Sequence, residues 1–152
     1  MEFGWNNLHR LAREHGDGFY LLDTTRFAEN YDAFLAAFRR FYPNTNLAYS
    51  YKTIYIPRLC AIVDERGGYA EVVSRMEYDL ALRVGVDPGR IIFNGPYKRA
   101  EDIAWALTKG SVVNLDAPYE VDIVEELARD WSGKPLQLGI RCNFDIGVDQ
   151  IS

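Results

Sequence analysis

"GGYAEVVSRMEYDLALRVGVDPGRIIFNG", residues 67–95, reads as one strand, one helix and a second strand. The run at Tyr69 is short, apolar and β-branched. The stretch that follows offers Ser74 as a helix start, carries apolar residues at helical spacing, and stops at Gly85 with Pro88 beyond it. A second apolar run then begins at Ile91. Strand, helix and strand within some thirty residues is the βαβ unit of a parallel sheet.

The same punctuation extends outward in both directions. "LAYSYK" starts at Leu47, "YAEVVS" at Tyr69, "IIFNG" at Ile91, "VVNLD" at Val112 and "LQLGIRCN" at Leu136, in steps of 22, 22, 21 and 24 residues. These runs are nearly continuous rather than alternating, which predicts strands buried on both faces. Helical patterns fill the gaps. "IPRLCAIVDERGG" has Pro57 near its start and Gly67 past its end. "RAEDIAWALTKG" puts Ile103, Ala106 and Leu107 on one face and stops at Gly110. "DAPYEVDIVEELARDW" offers Asp116 as an N-cap and Pro118 in the first turn. Upstream, "GFYLLD" (18–23) reads as a further strand. "RFAENYDAFLAAFRRFY" reads as an amphipathic helix through Phe27, Tyr31, Phe34, Leu35, Phe38 and Phe41. The division expected is an N-terminal helical extension over 1–17 and a βα domain over 18–152.

A doubly wound dinucleotide-binding sheet would carry a G-x-G-x-x-G turn after a strand, and none of these strands has one. A (β/α)8 barrel instead gathers its chemistry at strand carboxyl ends. Lys52, Ser74, Asn94, Asp116, Arg141 and Asn143 all fall there. The fold class expected is therefore α/β, the N-terminal portion of a TIM barrel with about five strands. A full barrel takes about 250 residues, so 152 residues would be part of something longer or would close against another copy.

Composition narrows the functional classes. A chain 48% hydrophobic with mean hydropathy −0.22 is ordinary for a globular protein. A net charge of −5 argues against a nucleic-acid partner. No apolar run approaches the roughly 20 residues that span a bilayer, and Glu2 stands where a signal peptide would be basic. A cytoplasmic location is expected, with no membrane partner. Cys60 and Cys142 lack metal or disulfide spacing and read as two buried thiols. His9 and His15 read as surface or packing residues, and no metal site is expected, including at the aspartates of "NFDIGVD".

Three charged residues remain as candidates. Lys52 ends an aromatic strand; a desolvated amine there would be a nucleophile suited to a Schiff base, with Tyr49, Tyr51 and Tyr55 excluding water, and the alternative is a surface or salt-bridged lysine. Glu71 stands inside a strand, where a carboxylate needs a partner such as Arg75 or a lysine. Arg141, flanked by apolar residues, would need an anion if buried. Ser74 and Glu77 fit a helix cap as well as a cofactor contact. Asn94 and Lys98 read as shaping the "FNGPYK" turn.

"LAYSYKT" resembles the lysine motif of the barrel-type (fold type III) pyridoxal-phosphate-dependent decarboxylases of diaminopimelate, ornithine and arginine. The resemblance continues through "DGFYLLDTTRFAENYDAF", the 67–107 stretch, "NLDAPYEVDIVEELA" and "LGIRCN", covering about residues 18 to 152. It implies that Lys52 holds pyridoxal 5'-phosphate as an internal aldimine. It implies that Glu71 tunes that imine and that Arg141 lies near the cofactor ring. It further implies amino-acid decarboxylation by a homodimer with shared active sites, in polyamine or lysine biosynthesis, and a C-terminal β-domain in the full enzyme. Ile54 replaces the family's usual asparagine, Glu71 its more common aspartate, and "RCN" its "R-x-N-P". The phosphate cradle, the ring-stacking histidine and the acid for the pyridine nitrogen would come after Ser152, so the 152-residue piece alone would be inactive. An amino-acid racemase on the same barrel, or a truncated pyridoxal-phosphate-binding or interaction module without turnover, are the alternatives.

Overall fold

A computed structural model describes residues 4–142. It divides into two units, one ending at Pro43 and the other starting at Asn44. The first unit holds α1 (Trp5–His15) and α2 (Thr24–Arg39). Asp23 caps α2, accepting from the Arg26 N–H at 2.9 Å. Tyr31 and Leu35 are buried, whereas Phe34, Phe38 and Phe41 are exposed, with the first two rings stacked at a tilt 5.1 Å apart. The strand expected at 18–23 does not form. Tyr20, Leu21 and Leu22 are exposed and enter no ladder among the described residues, since apolar content does not make a strand without a neighbouring edge.

The second unit is a run of βα repeats: β1 (Ala48–Ser50), α3 (Pro57–Glu65), β2 (Tyr69–Val72), α4 (Arg75–Val84), a 3₁₀ turn (Pro88–Arg90), β3 (Ile91–Phe93), α5 (Ala100–Thr108), β4 (Val112–Leu115), α6 (Pro118–Arg129) and β5 (Gln137–Ile140). All four strand pairings are parallel, and the strand order is the chain order. A doubly wound sheet reverses its order at a switch point; an unreversed order is the opening arc of a barrel. No helix among the described residues is long and apolar enough to cross a membrane.

The core lies between the sheet and its helices. Ala70 and Val72 of β2, Ile91 and Phe93 of β3 and Val113 of β4 are buried against Tyr78, Ala81, Ile103, Ala106 and Leu107. Burial along β2 and β4 alternates, which corrects the expectation of strands buried on both faces. Residues 69, 71, 112 and 114 point to the other face, which five strands leave half open. At the bottom of the core, Ser111 spends its hydroxyl proton on the Pro88 carbonyl (2.7 Å), so the Tyr78 hydroxyl donates to Ser111 Oγ (2.8 Å). Burial pushes the Tyr78 phenol up from its ordinary value.

Cys60 is buried as expected, but Cys142 is exposed, because β5 is an edge strand with no neighbour beyond it among the described residues; both thiols are free. The helix α4 ends at Gly85 with φ +108, where its N–H bonds back to Ala81 O and Leu82 O. An L-residue is strained in that conformation. Gly85→Ala is therefore expected to lower stability by about 1 kcal/mol, measurable as a shift of the urea midpoint at unchanged slope.

Candidate functional site

Backbone bonding carries the parallel ladder to the strand tips: Tyr51 N–H donates to Glu71 O (2.9 Å), Asn94 N–H to Val72 O (2.7 Å) and Arg141 N–H to Leu115 O (2.9 Å). Around these tips lies a hollow of about 490 Å³, and Lys52, Glu71, Asn94, Asn114 and Arg141 all line it. A larger hollow of about 720 Å³ opens at the opposite, amino ends of β3, β4 and β5, beside Asp87, Lys109 and Trp131. The smaller one is the candidate site, because it unites polar and charged side chains from all five strands at the end where barrels place chemistry.

Lys52 follows β1 in a turn and is exposed. The dry setting expected of it is not supplied by these five strands. Nor do the tyrosines shield it. Tyr51 is buried on the helix side of the sheet near Cys60, with Tyr49 at 6.2 Å between ring centres. Tyr55 is exposed. Alternation explains this: if Tyr49 and Tyr51 face the helices, Ser50 and Lys52 face the barrel interior. Burial pushes the Tyr51 phenol far up, with help from Cys60, and burial raises the Cys60 thiol too.

Glu71 does not pair with Arg75, which instead binds Asp79 (2.9 Å) and Asp102 (3.2 Å). Its carboxylate accepts from Asn94 Nδ2 at Oε1 (2.9 Å) and from Ser50 Oγ at Oε2. Asn94 in turn accepts from Asn114 Nδ2 (2.6 Å). Asn94 thus does more than shape a turn. That task falls to Gly95, with φ +112 and no room for a Cβ, which would lie 2.7 Å from Val73 O.

Arg141 is not the buried guanidinium expected. It is 64% exposed because β5 forms the open edge, and it pairs with Asp116 at 3.3 Å. Asp116 is therefore an ion-pair partner rather than the cap of α6. Ala117 occupies the cap position, and Glu120 Oε2 accepts the Asp116 N–H at 2.8 Å. Ser74 does cap α4: its hydroxyl accepts the Glu77 N–H, while Glu77 accepts the Val73 N–H. Asn143 and the aspartates of "NFDIGVD" lie outside the described residues.

Sequence reasoning missed Ser50, Asn114 and Gly139. The available signal was parity: residue 114 shares its strand face with residue 112, opposite buried Val113 and Leu115, and a polar residue there points inward.

A parallel barrel arc with an amine, a carboxylate and a guanidinium around one hollow at its strand tips has the layout of a barrel-type small-molecule site rather than of a nucleotide-binding sheet. The chain belongs to the family described as pyridoxal-dependent decarboxylase, pyridoxal binding domain, whose model matches residues 28–152. It is 28% identical over 141 residues to diaminopimelate decarboxylase of Aquifex aeolicus, covering 92% of this chain and 32% of that protein. To the chloroplastic ornithine decarboxylase of Nicotiana glauca it is 30% identical over 145 residues, covering 95% and 32%. Among solved structures, diaminopimelate decarboxylase of Methanocaldococcus jannaschii superposes with a TM-score of 0.77 at 26% identity, over 88% of this chain and 32% of that one. The chain spans about a third of the length of the curated relatives it matches.

Proposed function

We propose that this chain provides the amine side of the active site of a pyridoxal-phosphate-dependent amino-acid decarboxylase acting on diaminopimelate, ornithine, arginine or a similar substrate. The observation that carries the reading is the common hollow at the strand tips, shared by Lys52, Glu71 and Arg141. The donor set suits the aldehyde end of the cofactor. Lys52 provides the amine for covalent attachment, Glu71 a fixed carboxylate beside it, and Arg141 a cation for an anionic oxygen. Pyridoxal phosphate, when bound, supplies the conjugated ring that takes up the electron pair left as carbon dioxide departs.

The fit has a further support. Ile54, Tyr55 and Ile56, directly after Lys52, are all exposed apolar residues. Such a cluster beside an open hollow suits cover by more protein, and on this reading that cover dries Lys52. The working enzyme is then a cytoplasmic homodimer with the site shared between subunits, and the five strands by themselves do not turn over.

Full-length protein mixed with pyridoxal phosphate and reduced with borohydride is expected to carry the pyridoxyl adduct on Lys52, read by peptide mass spectrometry. An adduct on other lysines, or on none, contradicts the proposal. Carbon dioxide release from a panel of basic and dibasic amino acids identifies the substrate.

A further inference from the structure

Glu71 is the acceptor on which a hydrogen-bonded ladder across four strands converges. Asn114 of β4 donates through Nδ2 to Asn94 Oδ1, at the end of β3, at 2.6 Å. Asn94 donates through Nδ2 to Glu71 Oε1 of β2 at 2.9 Å. From the other side Ser50 of β1 donates to Glu71 Oε2. The register makes this possible: Ser50 lies opposite Glu71, and Asn94 and Asn114 each follow the paired Phe93 and Val113 by one residue.

The polarity of the ladder is fixed by chemistry. A carboxylate only accepts, whereas a primary amide both donates and accepts. With Asn114 donating to it, the Asn94 amide can turn only its NH₂ toward Glu71. If Asn94 were flipped, its carbonyl oxygen would face the carboxylate and its NH₂ would face the Asn114 donor. Both contacts would be lost together. Asn114 itself fits because residue 139, its neighbour in β5, is glycine. A Cβ there would lie 2.0 Å from Asn114 Oδ1 and 3.0 Å from its Cγ.

We propose that Asn94 and Asn114 are positioning residues that act on the Lys52 nitrogen through Glu71, and that Gly139 provides the space for Asn114. This rests on the reading of Lys52 and Glu71 given above. Donors on both oxygens hold the carboxylate plane between β1 and β3 and leave its remaining acceptor capacity for the hollow that Lys52 also lines. A carboxylate so held favours a proton on the attached nitrogen. A ladder that loses its outer donor leaves Asn94 anchored by Glu71 alone, so the amide and the carboxylate can turn together away from the hollow, and that proton is released at lower pH.

The test uses full-length protein loaded with pyridoxal phosphate and follows the pH midpoint of the bound cofactor's absorption band. Asn114→Leu is expected to lower that midpoint by about half a unit or more, with borohydride labelling of Lys52 retained. Glu71→Gln lowers it further. Asn114→Leu added to Glu71→Gln changes nothing more, because the asparagine acts only through the carboxylate. An unmoved midpoint in Asn114→Leu, or effects that add in the double variant, would overturn the proposal. If Asn114→Leu does not fold, Gly139→Ala carries the same readings through displacement of the Asn114 side chain. Failure of Lys52 labelling in the unmutated protein is a separate result, and it overturns the underlying reading of the amine.

Discussion

Lys52→Ala in the full-length protein should reduce decarboxylation to the level of the cofactor free in solution and abolish borohydride labelling, while the fold survives. The structural half of this expectation is direct. Lys52 is exposed in the turn after β1, and its side chain enters no hydrogen bond or ion pair among the described residues. Truncating such a group changes stability by no more than about 0.5 kcal/mol, so the melting curve should overlay that of the unmutated protein. The chemical half follows from the covalent role proposed for Lys52, which no neighbour can assume. The other basic side chain at the hollow, Arg141, carries a delocalised guanidinium, which does not attack a carbonyl. Substantial turnover by a folded Lys52→Ala variant, with label moved to another lysine, would mean that the strand tip of β1 is not where the chemistry sits. Loss of activity together with unfolding would show Lys52 to be structural.

How far the sequence foretold this arrangement depends on which physical rule each residue obeys. The βα rhythm was legible because glycine and proline punctuate it. Three helices were expected to stop near Gly67, Gly85 and Gly110, and the observed ones end within a few residues of those positions. Three strand starts, Tyr69, Ile91 and Val112, match to the residue. What sequence could not assign was the direction of side chains in strands apolar at both parities. In "LAYSYK" the aromatic residues drew attention as a shield for Lys52, yet they pack into the core, and Ser50 is the one that faces the site. Asn114 was overlooked for the same reason: a single polar residue in "VVNLD" acquires meaning only once the register sets it beside Asn94 and Gly139. The Gly18–Asp23 stretch carries apolar residues without an edge to pair with, and periodicity alone cannot supply a partner strand.

Lys98→Met should destabilise the protein by about 3–5 kcal/mol, a large fraction of the 5–15 kcal/mol or so that holds a typical domain folded. Lys98 was legible only as a loop lysine in "FNGPYK". In the structure its side chain and that of Glu120 are both 0% exposed, and they pair at 3.0 Å. Each has a second duty. Lys98 Nζ donates to Gly95 O at 2.7 Å, and Glu120 Oε2 accepts the Asp116 N–H at 2.8 Å. The pair therefore ties the loop after β3 to the start of α6, next to both Asn94 and the Asp116 partner of Arg141. Removing the lysine alone leaves a carboxylate in a dry interior with its charge uncompensated, and that stranded charge is the main cost. The double variant Lys98→Met/Glu120→Leu removes both charges and should recover much of the loss, because a buried ion pair gains little over apolar groups of similar volume. Urea denaturation of the three proteins measures the difference. A single variant within about 1 kcal/mol of the parent, or a double variant no better than the single one, would show that solvent reaches this pair and that the loops around the hollow are held by other contacts.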